Sequence, residues 1–291
     1  MRRAALVFAL FVGGCGLLEP EGPPARALGG APAVPGAAAP DRPSTVSAIP
    51  PFPGYELAWN DEFDGAALDV GRWSIVERPW RDAVNARDSV VVANGKLSLV
   101  TFTAADGTHH TANINTKGKL EARYGYFEAR VRFLDSAGQW CSFFLYPDTI
   151  GNPKGDPGTA GVEIDIFEHR DADDMGWNLR DMIAVGLNWD GFDRDWKRDH
   201  QVLAHPEGAR LSHEWHTYAV LWTEAGHTFY IDDIPVWTSD AAISHTAEPV
   251  YLTCEVSDGS WAGYVPVGGY GSLEQSTSGI EVDFVRVWQV R

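Results

Sequence analysis

The stretch Phe127-Glu128-Ala129-Arg130-Val131-Arg132-Phe133 is apolar or small at every odd position and charged at every even one. A period of two is the signature of a strand with one packed face and one wet face. Outward from it, strand composition recurs at Ser89–Val92, Lys96–Thr101, Tyr124–Phe133, Trp140–Tyr146, Gly161–His169, Ala184–Trp189, Trp215–Thr223, Thr228–Ile231, Pro249–Val256 and Ile280–Val290. Turn signals at Asn94-Gly95, Asp106-Gly107, Asp190-Gly191 and Ser278-Gly279 separate these runs. Ile280–Trp288 alternates less cleanly. Many short strands with long connections imply an all-β sandwich or jelly roll. Composition agrees: 12 Trp, 9 Tyr and 13 Phe sit among 30 Gly and 18 Pro. No helix of useful length is demanded.

The formal net charge of −17 over 291 residues repels phosphate backbones and anionic lipid headgroups, so a nucleic-acid partner is not expected. Arg2-Arg3 and the apolar run Ala4–Val12 form an export-type segment too short to span a bilayer. It ends at Val12-Gly13-Gly14-Cys15, which resembles a bacterial lipobox. The expectation is a signal over 1–15 with lipidation at Cys15, hence an exported protein anchored to the bacterial cell envelope, periplasmic or outer, with its lipid as the sole membrane contact. An ordinary signal peptide and free secretion are the alternative. Residues 16–54, rich in Pro, Ala and Gly, read as a tether. Regular patterning from 55 to 291 reads as one domain, expected to be a monomer. Cys141 and Cys254 are either one disulfide or two buried thiols. No Cys/His cluster suggests zinc, and His109-His110 is expected in a hairpin loop.

Gly161-Val162-Glu163-Ile164-Asp165-Ile166-Phe167-Glu168-His169 places three acids among branched and aromatic residues. On a helix Glu163 and Glu168 point about 140° apart. On a regular strand Glu163 and Asp165 share a face, while Glu168 falls on the other. One extra residue, a β-bulge at Ile166-Phe167, returns all three to one face. Two Glu side chains leaning together then approach the ~5–5.5 Å carboxyl separation of a retaining glycosidase. Three acids this close do not all stay ionised, and a retained proton is what a general acid needs. The bland reading, a solvated acidic face, leaves the bulge spacing and the flanking apolar residues unexplained.

Glu163-Ile-Asp-Ile-Phe-Glu168 resembles the E-x-D-x-x-E signature of glycoside hydrolase family 16, in the bulged, laminarinase-like form. Trp59–Gly65, Leu68–Trp73, Asn113–Lys119, Tyr124–Arg130, Trp215–Trp222, Phe229–Asp232 and Val282–Trp288 extend the resemblance over most of 55–291. It implies a concanavalin A-like jelly roll of two curved antiparallel sheets with substrate across the concave face. It further implies a retaining, endo-acting hydrolase of β-linked glycans, of β-glucan or β-galactan type, with polysaccharide as partner. Glu163 would be the nucleophile, Glu168 the general acid/base and Asp165 the residue that steadies the nucleophile. No cofactor is implied for catalysis. A structural calcium is implied for many relatives, with Asp283 and the Gly95 carbonyl at the matching positions.

Departures from the family pattern bear on substrate. Phe144 replaces a frequent cleft Trp, and Asn188 stands where a His near the acid/base is usual; Asn donates a hydrogen bond but carries no titrating proton. The acidic run Glu168–Asp174 also leaves the common glucanase pattern. Sugar rings favour Trp beside polar groups, so Gln139, Trp140, Phe144, Asn188, Trp189 and Trp261 are the expected substrate contacts, with Trp80 and Trp177 behind them. Trp59, Trp73, Trp222 and Trp288 are assigned to packing. Arg170 and Arg180 are expected in surface salt bridges before any acidic sugar. A noncatalytic glycan-binding protein on the same frame, or a transglycosylase, is the alternative function.

Overall fold

The computed structural model describes residues 51–291; the export segment, Cys15 and all but the last four residues of the tether lie outside them. The described chain starts with strands β1 (Tyr55–Asp61), β2 (Ser74–Ile75), β3 (Arg78–Trp80), β4 (Ala83–Asn85), β5 (Val90–Ala93), β6 (Lys96–Thr103) and β7 (His109–Thr111). Strands β8 (Asn113–Asn115), β9 (Glu121–Ala122), β10 (Gly125–Phe133) and β11 (Gln139–Leu145) lead to one α-helical turn, α1 (Pro157–Ala160). Then come β12 (Glu163–His169), β13 (Met182–Trp189), β14 (Lys197–Ala204), β15 (Trp215–Thr223), β16 (Gly226–Ile231), β17 (Ile234–Ser239), β18 (Glu248–Val256) and β19 (Ser278–Val290).

They form the sandwich the alternation implies. An 11-stranded sheet runs β17-β16-β15-β10-β19-β6-β7-β4-β3 with β1 on β19 and β5 on β6. An 8-stranded sheet runs β14-β13-β12-β11-β18-β8-β2 with β9 on β18. Pairing is antiparallel except for β4 against β7. The odd-numbered residues of β10, Phe127 to Phe133, are fully buried between the sheets. Phe133 and Tyr218 of the larger sheet each meet Phe167 of the smaller at 5.0 Å between ring centroids, which closes the core. Trp73, Trp222 and Trp288 are buried and Trp59 packs against the core, as assigned from sequence.

Asn94 and Gly95 both take positive φ (55° and 70°) between paired Ala93 and Lys96, a two-residue hairpin turn. Ser278-Gly279 is not a turn: it opens β19, and a Cβ on Gly279 would lie 1.9 Å from the Leu99 carbonyl oxygen. The glycine there serves close backbone approach. The register of β19 against β10 slips at Asp283, which accounts for the poor alternation of that strand. His109 and His110 lie in β7 rather than a loop; His110 stacks on Phe102, its partner across the hairpin. Cys141 and Cys254 face each other across β11 and β18 and are disulfide-bonded.

Candidate active site

β12 carries the three acids in the middle of the 8-stranded sheet. Across β11, Asp165 faces Phe144 and Phe167 faces Phe143, so Ile166 has no counterpart. Across β13, Asp165 faces Gly186 and Glu168 faces Ala184, leaving one extra residue on β12. The bulge therefore sits at Ile166–Phe167. Ile164, Ile166 and Phe167 join the core. Glu163, Asp165 and Glu168 share the opposite face, away from the larger sheet.

Asn188, paired with Glu163 on β13, ties the first two acids together. Its Nδ2 donates to Glu163 Oε1 (3.0 Å) and Asp165 Oδ2 (2.8 Å). Its Oδ1 accepts from Trp196 Nε1 (3.0 Å), which fixes the amide's orientation. Burial pushes the Glu163 and Asp165 carboxyls well above their usual range, and the neighbouring carboxylates push further, against the pull of Asn188. Burial also raises Glu168, to about 7; Arg170 and Arg81 favour its ionised form while Glu255 opposes it. The site thus retains a proton near neutrality, with two hydrogen-bond donors aimed at the Glu163–Asp165 end.

Phe144 lies on the acids' face, half-buried and stacked on Tyr251 at 5.1 Å. Tyr146, Phe192 and Trp196 continue this aromatic row. At the Glu168 end, the Arg81 guanidinium lies 4.7 Å from the Trp140 ring and bonds Glu255 (2.5 Å), which also accepts from Trp80 Nε1 (2.8 Å). Arg170 lies 4.0 Å over Trp261.

Several expected contacts are corrected. Gln139 shares the core-facing side of β11 with Cys141; it is fully buried, bonded to Thr101 and to the Asp135 carbonyl. Trp189 packs on the core. Each is one residue out of phase with the acids' face. Trp140 is on the right face yet only 4% exposed, covered by Arg81 and Trp261, so it is floor rather than platform. Arg170 is 5% exposed rather than superficial, whereas Arg180 does form a salt bridge, with Asp171 (2.8 Å). Trp177 and Trp80 are exposed. Trp196, Arg81, Tyr251 and Glu255 were not foreseen; of these Tyr251 and Glu255 had a sequence signal, their shared phase in the Pro249–Val256 strand.

Asp283, one of the two positions implied for calcium, accepts a hydrogen bond from Arg130 through Oδ2 (2.9 Å). Among the described residues His205, His216 and Asp232 have ligand atoms within 4.8 Å of one another. Their lone pairs are spoken for. His205 Nδ1 accepts from the Glu207 N–H (3.1 Å), so its Nε2 holds the proton facing Asp232. His216 has acceptors at both nitrogens, Asp232 Oδ2 (2.6 Å) and the Arg210 carbonyl (2.8 Å). Burial opposes its charged form, but Asp232 outweighs that and raises its pKa.

Residues 57–290 match the family model described as "Beta-porphyranase A-D, GH16 domain". The chain is 25% identical to "Glucan endo-1,3-beta-glucosidase A1" of Niallia circulans over 82% of itself, and spans 39% of that relative's length. It is 26% identical to "Beta-glucanase" of Rhodothermus marinus, covering 81% of this chain and 86% of the other. The laminarinase structure from Rhodothermus marinus superposes with a TM-score of 0.62 at 22% identity, over 81% of this chain and 97% of that one, which shows the shared fold. The chain belongs to glycoside hydrolase family 16, in the group described as β-porphyranases A–D.

Proposed function

We propose that the protein is an endo-acting, retaining hydrolase of a β-linked glycan. The observation that carries this reading is the bulge at Ile166–Phe167, which gathers Glu163, Asp165 and Glu168 on one face beside the Asn188 amide. Glu163 attacks the anomeric carbon while Glu168 gives its proton to the departing glycosidic oxygen; Glu168 then takes a proton from water as water displaces Glu163. Asp165, linked to Glu163 through Asn188, steadies the nucleophile. The chemistry needs no cofactor. Phe144 and the aromatic row, with Trp261 at the other end, supply faces for sugar rings.

For the polymer, the family description favours a porphyran-type β-galactan over the glucans acted on by the curated relatives. Arg81 and Arg170 beside Glu168 suit an anionic group on such a chain. The test is a screen of porphyran, agar, carrageenan and β-1,3-glucan with product masses, and proton NMR of the first-formed anomer. The β anomer is expected, and Glu163→Gln should abolish cleavage. Cleavage unchanged in that variant, or an α anomer formed first, overturns the assignment.

The reading includes export and lipidation at Cys15, with the domain acting as a monomer at the cell envelope. Detergent partitioning of the full chain checks it: a Cys15→Ala protein that still partitions with detergent refutes the anchor. The reading also keeps the structural calcium at Asp283 and the Gly95 carbonyl: a chelator should lower the melting temperature, and a melting temperature left where it is refutes that site.

A further inference from the structure

Beyond the acids that face substrate, one fully buried carboxyl has no part in the chemistry above. Glu248 opens β18, 0% exposed, on the inner side with Val250 and Leu252. Its Oε1 accepts from the backbone N–H of Val162 (3.2 Å), and Oε2 has no partner. The Ser244 hydroxyl lies close enough to the same carboxyl to favour its ionised form.

Resting on the reading of Glu163 as nucleophile, we propose that Glu248 is a positioning residue for it, clamping the entry to β12 through the Val162 amide. Within β12 the backbone is held from both sides by β11 and β13. Its first residue is Glu163, at the end where a strand frays, and the residue before it is bonded by the Glu248 side chain. The approach is close. Gly161 runs at φ 84°, and a Cβ there would sit 2.4 Å from Pro147 Cγ and 3.2 Å from Glu248 Oε1. The link between α1 and β12 is therefore pressed against the carboxyl. Burial raises Glu248 to about 8. It is neutral at pH 7, and its carbonyl oxygen still accepts. Glutamine has the same length and the same acceptor.

Two readouts test the clamp: kcat and KM on the glycan the wild type cleaves, and amide hydrogen exchange at Val162. Glu248→Ala should lower kcat on the order of 100-fold with KM nearly unchanged, the penalty of a misplaced reacting group. It should also speed exchange at Val162. Glu248→Gln should restore both. Glu248→Asp, too short to reach, should behave as alanine and replaces it if Glu248→Ala fails to fold. Unchanged Val162 exchange in the alanine or aspartate variant overturns the clamp whatever glycan is cleaved. Wild-type kcat in those variants overturns the positioning role, provided Glu163→Gln is inactive. Equal loss in the glutamine and alanine variants overturns it as well. A wild type inactive on all glycans refutes the nucleophile reading, and Val162 exchange then decides the clamp alone.

Discussion

The two sheets each display carboxylates on their outer faces, and the Glu163–Asp165 pair is treated oppositely to the acids of the larger sheet, whereas Glu255 of the smaller sheet keeps a guanidinium partner in Arg81. On the 11-stranded sheet, Glu281 is bonded by Lys96 and Arg132, Asp283 by Arg130 and Glu62 by Arg286 in a two-pronged contact (2.8 and 2.9 Å). On the 8-stranded sheet, Glu163 and Asp165 share a neutral amide instead. Arg170 and Arg81 act on Glu168 as neighbouring charges. Cationic partners occupy the oxygens of the first set; burial beside like charges leaves the second set with a proton to be moved. Glu128 marks the boundary of the rule, since on the ion-paired sheet it meets Trp288 Nε1 (2.8 Å) and burial raises it.

The contrast is most strongly tested at Glu168. Glu168→Gln should cut turnover of an unactivated glycan by about 10²–10⁴-fold, with a smaller loss on substrates whose leaving group needs no protonation. Equal loss on both would deny it the acid role. Removal of both cysteines (Cys141→Ser with Cys254→Ser) should cost about 3 kcal/mol in denaturant unfolding, because the bond closes a long loop under the sheet that bears the acids. On the ion-paired sheet Arg286→Ala should cost about 2 kcal/mol of stability and leave kcat untouched, separating structural from reactive carboxylates.

Two pH profiles sharpen the comparison further. As pH rises through about 7, Glu168 loses its proton, so kcat/KM should fall on that limb. Stability should fall over a wider window. Glu248 gives up its proton at its ordinary 4.5 when unfolded but holds it to about 8 when folded. The folded state thus binds more protons between those values and loses stability as pH rises through them. A melting temperature rising from pH 5 to pH 8 would contradict this.

The acid strand was legible because its spacing admits only one geometry: the gap from Asp165 to Glu168 puts them on opposite faces unless a residue is inserted. The central strands were legible from alternation, Trp215–Thr223 to the residue. The edges were not. β14 begins Lys-Arg-Asp-His and is half wet, while β17 holds Pro235, both the habits of strands paired on one side only. Gln139 and Trp189 show that chemical type without strand phase misplaces a side chain. Trp196 and Arg81 reach the acids from loops, and Tyr251 and Glu255, though in phase along their own strand, through the pairing of β18 with β11, which local sequence does not encode.

Phe52 nests against Tyr55, Tyr126 and Tyr230 on the outer face of the 11-stranded sheet, with the core between it and the acids. The chain therefore joins the domain at its rear. A bead, fusion partner or support coupled upstream of that point pulls from behind and leaves the opening free for a polymer too long to be swallowed whole.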